Sequence, residues 1–549
     1  MQLIKKGFAL TMILALTASL FAGCAPAAPA ASATPAKAVT AREVVKDVKV
    51  RKALALAIDR TAIVETVSKG GETPATGFVP PGLKDSKGND FRKINGDFGV
   101  DPTAANVDEA KKLLAEAGFP DGKGFPKLTI TYNTAENHKA IAEAVQEMWK
   151  KNLNIDVQIQ NQEWAVFQDT RHQGNYDIAR GGWIGDYEDP MTFLDLWTKE
   201  SGNNDAHWYK DGYDKLVRTA QTSSGDARDK AMYDAEKMLM ADQVIIPVYY
   251  YTHPVCVANR VKDWYLNMLG HWYFGNASTD TGKMSLNLNA DPKTIDPGLN
   301  SATDGGDVIT NTFEGLMRHS QSGVEPAIAE KYEVSADGKT YTFHLRSDAK
   351  WSDGKPVVAG DFEYAWKRAL DPKTASEYAF QLYYLNGGQE YNEGKGKVED
   401  VGVKATNDKT LVVTLKAPTP YFLQLTGFYT YMPVRKDMVE KDPQTWAKKP
   451  ATAVSNGPFM LKSYKDGDRL TVIPNPYYWN KGNVKLKQID FMMIVDQTTA
   501  LTAFKAGEVD ALDQVPPEAI PQLQAESNTF KIMPYVGTYY YMFNIGDKK

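Results

Sequence analysis

Two cysteines are all that 549 residues hold, Cys24 and Cys256. So sparse a pair excludes a disulfide-framed scaffold and a cysteine-rich metal site. Seven histidines are scattered singly, none in His-x-x-x-His spacing, so the common helical zinc pattern is missing too. No metal and no cofactor is expected. Net charge is −5 with no long basic run. That excludes nucleic acid as a partner, because phosphate binding needs a clustered positive face. Beyond the first residues no stretch approaches about 18 consecutive apolar residues, the length a membrane-spanning helix needs. Gly-x-Ser-x-Gly, the signal of many serine hydrolases, is absent as well.

What is present describes a globular chain, 43% hydrophobic and 24% charged, long enough for about three domains. Tyrosine (28) and tryptophan (11) are plentiful, which suits flat, adaptable contact surfaces as well as cores. Lys5 and Lys6 make a positive n-region, and Phe8 to Leu20 an apolar h-region too short for a stable span. Leu20-Phe-Ala-Gly-Cys24 resembles a bacterial lipobox, with cleavage before Cys24 and a lipid on its thiol. The other reading is an ordinary export signal with a chance cysteine. Residues 1–23 are thus expected to be a lipoprotein signal peptide, and 24–45 the lipidated cysteine with a flexible tether, Ala/Pro/Ser/Thr-rich over 25–40. Cleavage would remove two lysines and no acid. With Cys24 lipidated, Cys256 has no partner.

The spacing predicts helices over Val48 to Ile58, Thr61 to Ser68, Asp108 to Ala117, Ala227 to Ala241 and Asp361 to Leu370. The clearest helix opens at His138, with Ile141, Val145, Met148 and Trp149 on one stripe. It lies between strands Leu128 to Tyr132 and Ile155 to Ile159, which suggests a βαβ unit with parallel pairing. Val244 to Tyr251 reads as a buried strand. After a loop around Asn276 to Gly282, Met284 to Ala290 reads as a first strand, as if the chain began again. Lys339 to Leu345, Thr410 to Leu415, Arg469 to Pro474, Gln488 to Ile494 and Gly537 to Asn544 are further strands.

One stretch carries chemistry, Asn175-Tyr-Asp-Ile-Ala-Arg-Gly-Gly-Trp-Ile-Gly-Asp-Tyr-Glu-Asp-Pro190. A short strand, Tyr176 to Arg180, is expected to run into Gly181-Gly182, whose bare backbone lets another chain approach. Trp183 adds an apolar wall, and Asp186 a negative charge beside it. Together they suit an extended ligand with a cationic end. The same residues equally fit a strand-to-loop corner with a core tryptophan and a turn-forming aspartate.

Several segments together resemble the bacterial extracellular solute-binding proteins that serve peptide ABC transporters, most closely the oligopeptide-binding proteins. They are Asp47-Val-Lys-Val-Arg-Lys-Ala-Leu-Ala-Leu-Ala-Ile-Asp-Arg60, Asn161-Gln-Glu-Trp164, Asp169-Thr-Arg-His-Gln-Gly174 and the stretch just described. Val248-Tyr-Tyr-Tyr251, Trp351-Ser-Asp-Gly354, Asp371-Pro-Lys-Thr-Ala-Ser376, Asn456-Gly457 and Thr538-Tyr-Tyr-Tyr541 continue the likeness, which covers nearly all of 46–549. The order is rotated: 284–549 resembles the family's first half and 46 to about 275 its second. The resemblance therefore implies a circularly permuted α/β chain of the type II periplasmic-binding-protein fold, with three lobes around a ligand cleft. On that mapping 46–246 plus 537–549 form one ligand-binding lobe, 247–313 plus 438–536 a second, and 314–437 an extra lobe, with two crossings between the first two as a hinge. Lys549 and residues 45–50 are then expected to lie near each other.

The resemblance also implies the site. A peptide lies extended, paired like an added strand along Gly181, Gly182, Trp183 and Ile184, so main-chain bonds give affinity and hydrated pockets keep specificity broad. Asp186 matches the position that binds the peptide α-amino group. His138, Arg171 and Arg180 match positions that receive the C-terminal carboxylate of peptides of different lengths. Tyr378 and Tyr540 match ligand-lining aromatics, though a strand tyrosine is often simply core. Some members carry a disulfide where this chain has Ile184 and Gly537. Asp189 and Glu188 fit loop-capping acids.

The implied protein is a monomeric, non-enzymatic lipoprotein on the outer face of the cell membrane, or periplasmic in a Gram-negative envelope. Its partners are an oligopeptide and the permease subunits of an ABC importer with their ATPases. Dipeptides, murein peptides, nickel or sugar complexes are alternative cargoes on the same fold. The reading from another class is a secreted hydrolase using two of Asp186, Glu188 and Asp189, although adjacent loop acids have no spacing across a scissile bond.

Overall fold

The computed structural model describes residues 39–321 and 323–546. The export signal, Cys24 and Lys549 lie outside the described residues. Thr40 caps a single helical turn, Ala41–Val44, through a capping box with Glu43. Val44 and Val45 are buried, which corrects the tether: residues 41–45 belong to the fold, because these two valines cover core.

Helix α1, Val48–Leu56, starts where Asp47 accepts the Lys49 N–H and buries Val50, Ala53 and Leu54. Strand β1 (Leu128–Asn133), helix α2 (Glu136–Leu153) and strand β2 (Val157–Gln162) follow, and β1 and β2 pair in parallel as the pattern predicted. Ile141, Val145 and Trp149 of α2 are buried, and Met148 half-buried. Next come β3 (Ile178–Ile184), α3 (Gly225–Ala241), β4 (Ile245–Val257), β5 (Lys283–Asn287) and α4 (Thr303–Thr312). A separate antiparallel sheet has the order β6 (Ala329–Val334), β7 (Thr340–Leu345), then Thr410–Thr414 and Val403–Asn407. Helix α5, Ala359–Leu370, buries Phe362, Trp366 and Ala369.

The last strands return to the large sheet: β8 (Phe459–Lys465), β9 (Arg469–Pro474), β10 (Gln488–Met492), β11 (Ala511–Leu512) and β12 (Phe530–Phe543). Its order is β8-β9-β10-β5-β11-β4-β12-β3-β1-β2, with Thr73–Pro74 pairing off the path onto β4. Strand β12 lies inside it, antiparallel to both β3 and β4. Its run Tyr539-Tyr-Tyr-Met-Phe543 is buried on both faces. Tyr539, Tyr541 and Phe543 pack with Val50, Leu54 and Trp149, while Tyr540 and Met542 join the core on the other side. Covering both faces is what makes a strand read as a continuous apolar run instead of an alternation.

Near the end of the described chain, the Arg42 guanidinium donates to the Gly546 carbonyl at 2.9 Å and to the Gly174 carbonyl at 3.1 Å. The stretch after Gly174, the segment at Gly546 and the first folded turn thus meet in one place.

Candidate ligand cleft

Strand β3 carries the chemistry to a cavity of about 300 Å³. On one side β3 pairs with β12 throughout, from Ile184 opposite Gly537 to Ile178 opposite Phe543. On the other, β1 pairs only with Ile178 and Ala179. From Arg180 to Ile184 that second edge has no strand partner among the described residues, and Arg180, Gly182, Trp183 and Ile184 border the cavity. An open edge beside a cavity can accept an extended backbone.

Two expectations about this stretch need correction. The strand does not stop at Arg180; it runs from Ile178 through both glycines to Ile184. The glycines are also explained by side chains already present. A Cβ at Gly181 would stand 2.2 Å from the Tyr540 ring, and one at Gly182 would stand 2.6 Å from the Tyr251 hydroxyl. Both rings need that space whether or not a ligand approaches.

Asp186 sits just past the strand, buried, beside the cavity. The Tyr378 hydroxyl donates to its Oδ1 at 3.1 Å and the Gln381 amide to its Oδ2 at 2.6 Å. Its own N–H donates to the Thr192 hydroxyl at 3.0 Å. Burial, and after it the nearby Asp195 carboxylate, pushes Asp186 well above the usual carboxylate range, and no cation is among the groups acting on it. Asp195 itself is pushed up to about 7 by burial, although Tyr187 and Tyr384 donate to it at 2.9 and 3.1 Å. A buried carboxylate without a cation is costly, and an entering ammonium would relieve that cost.

The basic candidates differ from one another. The Arg180 guanidinium donates to the Tyr251 hydroxyl at 2.7 Å and lies 5.0 Å from the centre of the Tyr539 ring. Besides burial, the largest influences on it are tyrosines, and no carboxylate pairs with it among the described residues. Arg171 is partly committed: its Nε lies 3.6 Å from Asp205 Oδ2, and its guanidinium packs 5.1 Å from the Phe167 ring. His138 is corrected. Burial first, and then the Arg180 charge, drives it well below its ordinary value, and its Nδ1 lies 3.2 Å from the Asn133 carbonyl. It is a neutral hydrogen-bonding group and offers no charge.

Trp183 is buried beside the cavity, with ring centres 6.1 Å from Tyr378. Tyr540 is buried against Phe78 and Trp197, chiefly a core residue with one face toward the cleft. Of the ten residues the resemblance implied, all but Gly181 border this one cavity. Glu188 is exposed, and Asp189 caps Met191 at 2.9 Å and pairs with Arg228 at 2.7 Å. These two acids therefore do not converge with Asp186. Sequence reasoning missed Gln381, Tyr429, Asp304, Asp307 and the His253–Asp513 pair, all of which line the cavity or bond a residue that does. Thr303-Asp-Gly-Gly-Asp307 held a signal, since acids three apart share a helix face. Among the described residues no group of three or more His, Cys, Asp or Glu is placed to hold a metal.

Against known proteins, the model of the bacterial extracellular solute-binding proteins, family 5 Middle, matches residues 26–205 and 323–549. The chain is 47% identical over 270 residues to the oligopeptide-binding protein OppA of Bacillus subtilis, covering 48% of this chain and 49% of that one. It is 43% identical over 261 residues to the dipeptide-binding protein DppE of the same organism, covering 47% and 48%. The solved structure of Burkholderia pseudomallei OppA aligns at a TM-score of 0.44 and 33% identity, over 45% of this chain and 49% of that one. The chain spans about half the length of the curated relatives it matches.

Proposed function

Because this chain belongs to the bacterial extracellular solute-binding proteins, family 5, we propose that it captures extended oligopeptides and delivers them to the permease of an ABC importer. The observation that carries this reading is the pairing, in one cavity, of a buried carboxylate that lacks a cation with a buried guanidinium that lacks an acid. A zwitterionic peptide answers both. Its ammonium goes to Asp186, its carboxylate to Arg180 or Arg171 according to length, and its backbone lies along the open edge of β3. Binding is the whole task on this reading, with no bond broken. In support, Asp189 is tied to Arg228 and Glu188 is exposed, so Asp186 has no second acid across the cavity from it among the three.

The lobes are 46–246 with 537–549, 247–313 with 438–536, and the extra 314–437, closing about the crossings between the first two. Asp186 from the first is bonded by Tyr378 and Gln381 from the extra lobe, which supports a site shared between them. Cys24 anchors the exported monomer by its lipid. The rotated order is part of the proposal. It is supported by the meeting of Arg42 with Gly546 and by single alignments that each cover about half of both chains. Joining residues 283–546 ahead of 41–275 through a short linker is expected to restore the family order and preserve binding.

A dipeptide is the second reading, favoured by the likeness to a dipeptide-binding relative. Ligand-induced stabilisation by di- to pentapeptides, with a turnover assay alongside, tests both. Stabilisation by tri- to pentapeptides without hydrolysis is expected. Stabilisation by dipeptides alone favours the second reading, and the absence of any shift removes both.

A further inference from the structure

Several buried acids of this chain are neutralised within the fold, although Asp195 is met only by tyrosine hydroxyls. Glu236 is paired with Arg92, Asp296 with Arg368 and Asp189 with Arg228. Each buried carboxylate there has a guanidinium, as the cost of an unpaired buried charge requires.

The first turns of α4 break that pattern. Asp304 and Asp307 stand three residues apart on one helix face, are 8% and 4% exposed, and both border the cleft. Asp304 Oδ1 accepts the Gly305 N–H at 2.8 Å. Its Oδ2 completes no hydrogen bond, although the Trp164 indole stands beside it. Asp307 Oδ1 accepts the Trp272 N–H at a long 3.5 Å. Burial raises both above the usual range, Asp304 to about 6, and the charges acting on them are other acids: Asp291 on Asp304, Asp513 and Asp304 on Asp307. Two glycines make the room. A Cβ at Gly305 would lie 2.2 Å from Asn300 Oδ1, and one at Gly306 would lie 3.3 Å from the Tyr429 ring. Asp186, Tyr429, Asp304 and Asp307 line the same cavity.

We propose that Asp304 and Asp307 form a pocket for a cationic side chain of the bound ligand, so that the cleft selects peptides carrying lysine or arginine beyond their amino terminus. This rests on the peptide reading above and adds the substrate class to it. The strand edge binds any backbone. The acid pair then discriminates among side chains, because a cation of the right reach satisfies Asp304 Oδ2 and a neutral chain leaves it unpaired.

The test is calorimetric titration of the full exported chain with tetra-alanine and with tetrapeptides carrying one lysine, or one norleucine of similar length, at each position in turn. At one position lysine is expected to bind about tenfold or more tighter than norleucine. Asp304→Asn, Asp307→Asn and the double variant, each checked for folding by its melting transition, are expected to lower that ratio stepwise toward unity. The single variants keep the reading independent of whether the double one folds. Equal binding of lysine and norleucine peptides at every position, with tetra-alanine still bound, overturns the pocket and leaves the peptide reading intact. A lysine preference that survives all three variants places the cation elsewhere and also overturns it. If no peptide binds, both readings fall.

Discussion

The Tyr378 hydroxyl donates to Asp186 Oδ1 across 3.1 Å, although 192 residues separate the two in sequence. Gln381, one turn further on, completes the clasp at 2.6 Å. These neutral donors satisfy the carboxylate without cancelling its charge. Asp186→Ala is therefore expected to lose at least about 2 kcal/mol of peptide affinity, roughly thirtyfold. The unliganded Asp186→Asn variant is expected to melt no lower than the parent, since burial already favours the neutral, protonated carboxyl there. Calorimetry and a melting curve read the two effects, and undiminished peptide binding removes Asp186 from the site.

Arg180 should recognise the other end of the ligand. Amidating the C terminus of a tri- or tetrapeptide is expected to weaken binding about tenfold or more in the parent, and far less in Arg180→Gln. Such a cycle separates contact from mere folding damage. Equal losses from amidation in both proteins would place the carboxylate elsewhere.

The acid cluster sets a pH dependence. Asp195 is raised from 3.8 to about 7 and Asp186 is raised in the same direction. The folded, unliganded chain therefore holds protons that the unfolded chain has released. Stability falls as pH climbs from about 4 toward 7, and Asp195→Asn is expected to flatten that slope. A peptide ammonium favours the ionised form of Asp186, so affinity should rise as pH climbs above the usual carboxylate range, with protons released on binding. Titrations in buffers of different ionisation enthalpy count those protons, and net uptake would contradict the assignment.

Gly181 is a packing prediction. Its Cβ would meet the Tyr540 ring at 2.2 Å inside a buried sheet. Gly181→Ala is expected to cost about 1–3 kcal/mol in denaturant unfolding. In a Tyr540→Ala background the same change should be nearly silent.

Helices and strands with a strong period were legible before any coordinates. Asp47 caps α1, and Ile141, Val145 and Trp149 face the core as their spacing demands. The site residues of β3 could be named only through the resemblance to the solute-binding family, since their own pattern fits a strand-to-loop corner equally well. What stayed hidden was non-local. Gly181-Gly182 reads as a break because glycine weakens strands, and only Tyr540, far along the chain, shows why the strand continues. His138 reads as a potential cation until burial and Arg180 hold it neutral. Thr303 to Asp307 carries two acids at helical spacing, but nothing local shows that the helix they open is buried beside the cleft.

Among the described residues β12 comes after every other strand of its sheet, yet it lies between β3 and β4. Until it emerges from the ribosome, those two strands hold open a slot with an unpaired edge on each side, and the tyrosines that join the two cores are not yet made. This order leaves sheet closure to a slow, long-range pairing.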